Sequence, residues 1–294
     1  MRFLTGLLIA LFIVSCSKEQ EFVGSEVLVY VKNQNDERGL YQSDILGKWE
    51  RELLDGAGAE WNPQWNAGLQ KMTFYHQEGN DQVLMKSFDT GTKQVKYFKN
   101  YGFSTPKLGP NGKKLFYTRL KSGSRHIWWS NIDGKNRRQL TIGVGLNGPF
   151  SIAPDGSKMA YVSNNTGTYE LYVMDLNSLM IKQLTDNTSI EKFSSWSPKS
   201  DQIAFTMRED KANSKPDIYI INADGSGLAQ ISNTPYAETE VSWSLSGKKL
   251  AFHGITENDG DQIYTIDIAD GKFTKITSGN DVHSEPTWIP ERQN

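Results

Sequence analysis

Between residues 26 and 290 short runs rich in Val, Ile, Tyr and Phe alternate with clusters of Asn, Asp, Gly and Ser. Runs of this length and composition predict β-strands joined by turns. In "APDGSKMAY" (153–161) an Asp-Gly turn separates two apolar runs, the local signal for a tight β-hairpin, and a near copy, "SLSGKKLAF", stands at 244–252. A hairpin that returns after about ninety residues suggests a repeated unit.

Aligning the Trp of "SSWSPKSDQIAF" with that of "VSWSLSGKKLAF" defines the unit. The same position is occupied by Trp65, Leu108, Ile152, Trp196, Trp243 and Trp288, at spacings of 43, 44, 44, 47 and 45. Seven residues further stand Met72, Leu115, Met159, Ile203 and Leu250, and nine further Phe74, Tyr117, Tyr161, Phe205 and Phe252, with Tyr30 in that place in the first unit. Equal parity puts both positions on one strand face. A third run carries Tyr41, Met85, Trp128, Tyr172, Tyr219 and Tyr264, and a fourth, twelve residues later each time, carries Leu53, Tyr97, Leu140, Leu184, Ile231 and Ile276.

Four strands in each of six units of about 45 residues are the arithmetic of an all-β, six-bladed β-propeller with four-stranded antiparallel blades. The first unit lacks a Trp strand, whereas "EPTWIP" (285–290) is a Trp strand without a unit. The C-terminal strand is therefore expected to complete the first blade, closing the ring and leaving no sheet edge free. The stretches "SIAPDGSKMAYVSNNTGTYELYVMDLNSLMIKQLT" and "SSWSPKSDQIAF" resemble the WD40-like repeat of the TolB-type propeller family. The resemblance runs over residues 26–290 and implies fold more than activity. Leu108 and Ile152 depart from the family Trp, Ser200 from the turn Gly, and "WNAGLQKMTF" from the Pro-Asp-Gly order. In the protein that gives the family its name the propeller follows an α/β domain, for which this chain is not expected to have room.

The first residues, "MRFLTGLLIALFIVSC", hold one Arg and then an apolar run of about twelve residues, short of the roughly 20 that a spanning helix needs. The pattern predicts an export signal. "IVSC" resembles a bacterial lipoprotein box, which implies cleavage after residue 15 and lipidation of Cys16, the chain's single cysteine. Residues 16–25 read as lipidated cysteine and tether, 26–290 as propeller and 291–294 as tail. Ser17 in place of Asp implies the outer membrane, facing the periplasm or the surface. Without residues 1–15 the chain carries 31 basic against 34 acidic side chains, so no basic footprint is visible in the total and nucleic acid is not an expected partner.

No GxSxG, HExxH, CxxC, P-loop or EF-hand pattern occurs, and neither a cofactor nor a metal is expected. The four histidines fall at different places in their units. In a propeller the connection from the fourth strand to the next first strand opens on the same face as the loop between second and third strands, where the units vary in length. Five residues before each Trp position stand Glu60, Phe103, Asn147, Glu191, Glu238 and His283; three before stand Asn62, Thr105, Pro149, Phe193, Glu240 and Glu285. Repeat symmetry predicts two rings at one channel mouth, with Trp61, Tyr101, Lys192 and Tyr236 close by. Such an acidic, aromatic-flanked mouth would receive a basic peptide segment, a cation or a sugar. The leading expectation is a lipid-anchored envelope module that binds a protein or peptide. The alternatives are a carbohydrate-binding lipoprotein that stacks sugars on Trp61 or Tyr236 and a propeller-fold lyase of acidic sugars.

Overall fold

A computed structural model of the chain describes residues 24–34, 37–54, 58–79, 83–90, 92, 94–98, 104–255 and 260–291. The expected export signal, Cys16, most of the tether, Tyr101, Phe103 and the last residues of the tail lie outside the described residues. The strands in chain order are β1 (Glu26–Gln34), β2 (Glu37–Ser43), β3 (Glu50–Glu52), β4 (Ala59–Asn66), β5 (Lys71–Gln77), β6 (Leu84–Phe88), β7 (Val95–Phe98) and β8 (Ser104–Leu108). There follow β9 (Lys114–Lys121), β10 (Ser124–Asn131), β11 (Arg138–Gln139), β12 (Asn147–Ile152), β13 (Lys158–Ser163), β14 (Glu170–Asp175), β15 (Ile181–Gln183) and β16 (Ile190–Trp196). The last are β17 (Gln202–Arg208), β18 (Asp217–Asn222), β19 (Ala229–Gln230), β20 (Ala237–Trp243), β21 (Lys249–Ile255), β22 (Asp261–Asp267), β23 (Phe273–Lys275) and β24 (Val282–Pro290).

These strands form six four-stranded antiparallel sheets, a six-bladed β-propeller. Five blades are consecutive quartets from β4 onward, and blade 1 is β24-β1-β2-β3. The C-terminal strand thus completes the first blade, Trp288 lying opposite Leu28 and Pro290 opposite Glu26. Each interblade junction holds one hydrophobic cluster. Between blades 4 and 5, for example, Val162 and Leu171 meet Trp196, Ile203 and Phe205. A blade has two apolar faces and a neighbour on each side, which is why the sequence has to repeat.

The aromatic positions fill these junctions. Trp196, Trp243 and Trp288 are buried, while Trp65 and Trp128 pack half-buried at their junctions. The indole N–H of Trp196 donates to Ser151 O and that of Trp288 to Ser242 O, each at 3.2 Å on the preceding blade. Trp49, Trp61 and Trp129 lie off the repeat positions and pack at junctions as well.

Candidate functional site

The innermost strands β4, β8, β12, β16, β20 and β24 each carry one extra residue relative to the second strand of their blade. The register steps from Trp61 to Gln64, Ser104 to Lys107, Asn147 to Phe150, Lys192 to Ser195 and Thr239 to Ser242, and in β24 from Ser284 to Thr287. This is a β-bulge repeated six times. The residue three before the Trp position takes left-handed backbone at Asn62 (φ 53), Phe193 (φ 48), Glu240 (φ 53) and Glu285 (φ 55); in β12 Gly148 (φ 105) has that role, ahead of Pro149.

The bulge corrects the expected placement of the first ring. Glu60, Asn147, Glu191, Glu238 and His283 lie inside the innermost strands and are buried, rather than standing on connecting loops at a wet rim. One extra residue shifts the alternation, so a side chain five before the Trp shares the Trp's face and turns to the neighbouring blade. Asn147 Nδ2 donates to Arg125 O at 2.8 Å. Glu191 accepts from Asn187 Nδ2 at 2.9 Å. Glu238 accepts from the Ile218 N–H at 3.0 Å, from Thr234 at 2.6 Å and from the Ser232 hydroxyl. Glu60 lies 3.3 Å from His76 Nδ1, and His283 stacks edge-on against Tyr30. Burial pushes Glu60, Glu191 and Glu238 each up to about 7. Asn147 and Glu238 thereby tie neighbouring blades and Glu191 the connection between blades 4 and 5, while the contacts of Glu60 with His76 and of His283 with Tyr30 lie within blades 2 and 1.

The second ring behaves differently. Glu240 and Glu285 are only partly covered, and their carboxylates run around the mouth: Glu240 accepts from the main-chain N–H of Glu285 at 2.7 Å, and Glu285 accepts from that of Asn62. His253 on β21 joins this edge, with Nδ1 3.3 Å from Glu240 and Nε2 3.3 Å from Asp261. Burial opposes protonation of His253, but hydrogen bonds and charge from the two carboxylates outweigh it and raise its pKa. Burial, reinforced by Glu240, raises Glu285 although the Asn62 N–H works against it. These contacts link the carboxylates of Glu240, Glu285 and Asp261 with His253 along blades 6, 1 and 2.

Of the flanking residues, Lys192 is exposed. Trp61 packs between two junction clusters and near Tyr75, and Tyr236 stacks on Tyr264 at 4.9 Å between centroids. Both rings therefore already use apolar surface in packing. A cleft of about 360 Å³ between the β1–β2 hairpin and β4–β5 is lined by Lys32, Arg38, Tyr41, Glu52, Glu60 and Gln77, a feature the sequence did not single out. Lys32 there is held by Glu50 at 2.7 Å and Asp281 at 3.4 Å. Among the described residues no group of three His, Cys, Asp or Glu side chains is placed to hold a metal ion.

A solved TolB from Acinetobacter baumannii superposes with a TM-score of 0.73 at 17% identity, over 90% of this chain and 67% of that one. A putative TolB from Agrobacterium tumefaciens gives 0.65 at 15% identity, over 91% and 100%. An oligogalacturonate lyase from Vibrio parahaemolyticus gives 0.56 at 10% identity, over 85% and 74%, a likeness of fold alone. In sequence, the Tol-Pal system protein TolB of Francisella tularensis subsp. tularensis (strain WY96-3418) is 26% identical over 192 residues, 64% of this chain. The chain spans 43% of the length of that relative. The PD40 family, described as the TolB beta propeller domain, matches residues 103–210 and 195–294. Together these matches cover well over half of the chain, which belongs to the PD40 family of TolB-type β-propellers.

Proposed function

We propose that this chain is a lipid-anchored propeller of a bacterial envelope that works by binding another envelope protein. In this reading residues 1–15 are removed on export, Cys16 carries the lipid, residues 17–25 tether it and residues 26–290 form the binding body. The relatives named for the Tol-Pal system support an envelope setting. The observation that carries the binding role is the acidic edge of Glu240, Glu285 and Asp261 around one channel mouth, the first two held by main-chain N–H groups and Asp261 by His253. Such an edge suits a basic peptide segment, because carboxylates fixed in advance bind a cationic side chain with little reorganisation.

The test is a pull-down from detergent-solubilised envelope, wild type against Glu240→Gln. Gln retains an oxygen that can accept from Glu285 while removing the charge, so the fold persists and the captured protein is lost. Equal capture by both proteins overturns the site. Glu191 and Glu238 are unsuitable for this purpose, since their buried carboxylates report on blade packing. For the anchor, Cys16→Ser moves the chain from the membrane pellet to the soluble fraction, and an unchanged distribution overturns lipidation.

A further inference from the structure

Twelve residues after the repeat's Trp position, within one residue of the end of each blade's second strand, stand Asn33, Gln77, Leu120, Asn164, Arg208 and Ile255. Four are polar. The two aliphatic ones, Leu120 at 72% and Ile255 at 40% exposure, belong to blades 3 and 6, which are diametrically opposite in a ring of six. Both side chains stand beside the loop between second and third strands, on the face of the acidic mouth.

The charges around them are opposite. Leu120 pairs across its hairpin with Arg125 and is flanked by Arg119 and Lys121, whereas Ile255 pairs with Asp261, whose carboxylate shares His253 with Glu240. The contrast belongs to the mouth end of the two blades. At the mouth end of blade 3 stand Arg119, Lys121 and Arg125 with no acid beside them, while Lys113, Lys114, Lys135, Arg137 and Arg138 lie with the blade's one acid, Asp133, at the other end. At the mouth end of blade 6 stand Glu240 and Asp261, with Glu238 buried behind them, while Asp267 and Asp270 lie with Lys248, Lys249 and Lys272 at the other end. A near-neutral total conceals a face that is basic on one side and acidic on the other.

We propose that this face docks onto the same face of a second copy of the chain. A two-fold axis in the plane of contact, passing between blades 1 and 2 and between blades 4 and 5, places blade 3 over blade 6 of the second copy at both ends. Leu120 then meets Ile255 of the partner subunit, and Lys121 and Arg125 meet Asp261 of the partner subunit, twice by symmetry. This is an isologous contact that closes on itself. Ile142 and Val144, 74% and 75% exposed, widen the apolar patch beside Leu120. Their loop is fixed by the Arg125 N–H to Gly145 O at 3.0 Å and by the Leu146 N–H to Asn164 Oδ1 at 2.7 Å, so docking orders little chain. A membrane or an unrelated acidic protein fits the basic side alone and leaves the matching acidic side without a role. The contact covers the channel mouth, so self-association and capture of a partner at Glu240 exclude each other.

Sedimentation equilibrium of the full-length chain in density-matched detergent tests this. Wild type is expected to be dimeric, with an affinity that falls at least tenfold in high salt because the charge pairs are at a surface. The variants L120E/K121E and I255K/D261K are each expected to be monomeric alone, since like charges then face one another at both ends. An equimolar mixture is expected to regain a one-to-one dimer, because both of its contacts join opposite charges. A monomeric wild type, a charge-reversed variant that dimerises as wild type does, or a mixture that stays monomeric overturns the proposal. Thermal melting of each variant verifies the fold; where a pair lowers the midpoint, the single substitutions K121E and D261K carry the same test. The assay contains no envelope partner, so its failure is separate from failure of the binding role.

Discussion

The main-chain N–H of Glu285 donates to the carboxylate of Glu240 on the neighbouring blade at 2.7 Å. Both residues have left-handed backbone at the bulge of an innermost strand, where the extra residue takes its N–H out of the sheet ladder. The Glu285 carboxylate repeats the contact with Asn62. The clamp therefore joins blades 6, 1 and 2, the sector in which the chain closes. It does not extend to Phe193, which has no carboxylate, or to Pro149, which has no N–H. Glu240→Ala is expected to cost about 1–3 kcal/mol, the scale of a charge-assisted hydrogen bond with its donor left stranded. Glu240→Gln should cost less than half of that. Urea unfolding of the two variants against wild type measures both.

The buried glutamates make stability depend on pH. Glu60, Glu191 and Glu238 are pushed by burial from the ordinary value of 4.5 to about 7. A carboxyl with a raised folded pKa binds more protons when folded, so its contribution is fully present below about 4.5 and is lost as pH rises to about 7. His253, raised by Glu240 and Asp261 against the cost of burial, adds a decline of the same sign near neutrality. The melting midpoint is thus expected to fall from pH 5 to pH 7.5. Glu191→Gln should flatten that decline, since Glu191 Oε2 is buried without a hydrogen-bond partner and favours the protonated form. A slope unchanged by the substitution would contradict the assignment.

Ser200 occupies the turn position held by Gly112, Gly156 and Gly247 in other blades, and it has their left-handed backbone, φ 60 against 68, 73 and 71. A side chain in that region costs about 1–2 kcal/mol. Part of this is offset because Ser200 Oγ accepts from the Asp155 N–H at 3.3 Å, a long bond. Ser200→Gly is expected to stabilise the chain by about 0.5 kcal/mol, read as a rise in the urea midpoint at unchanged slope.

The turn at Ser200 illustrates what could be read in advance. Turn positions, aromatic columns and ring closure recur at fixed spacing, because each blade meets the same two neighbours and the same residue types must return. The placement of Glu60, Glu191 and Glu238 could not be read in this way. Their burial depends on one extra residue in each innermost strand, and a bulge leaves no mark when its left-handed position is Asn62, Phe193, Glu240 or Glu285 instead of glycine. Counting back from the Trp along a regular strand gives the wrong parity beyond that point. In "WNAGLQKMTF" the left-handed residue has moved one place on, to Gln70, which is why the Pro-Asp-Gly order is absent there. The opposed charges of blades 3 and 6 were present in the sequence, yet a whole-chain total averaged them away.

Closure of the ring makes the last strand indispensable. β24 is the inner strand of blade 1, pairing with β1 from Glu26 to Asn33. Trp288, 1% exposed, packs with Leu28, Tyr30, Ala251 and Ile263 at the junction with blade 6. Glu26 fastens the same corner, accepting from the N–H groups of Leu245 and Ser246 at 2.8 and 3.3 Å and from the Ser246 hydroxyl at 2.8 Å. Trp288→Ala is expected to cost about 3–5 kcal/mol, as large-to-small core changes of that size do, and Glu26→Ala about 1–2 kcal/mol for a half-exposed acceptor. Removing residues 282–294 goes further, because it frees the edge of β1 and uncovers one face of two junction clusters, those between blades 6 and 1 and between blades 1 and 2. That truncation should abolish the cooperative melting transition and give aggregates on size-exclusion chromatography. A truncated chain that melts as one sharp transition would mean that five blades and a remnant suffice, and that closure by β24 does not hold the ring together.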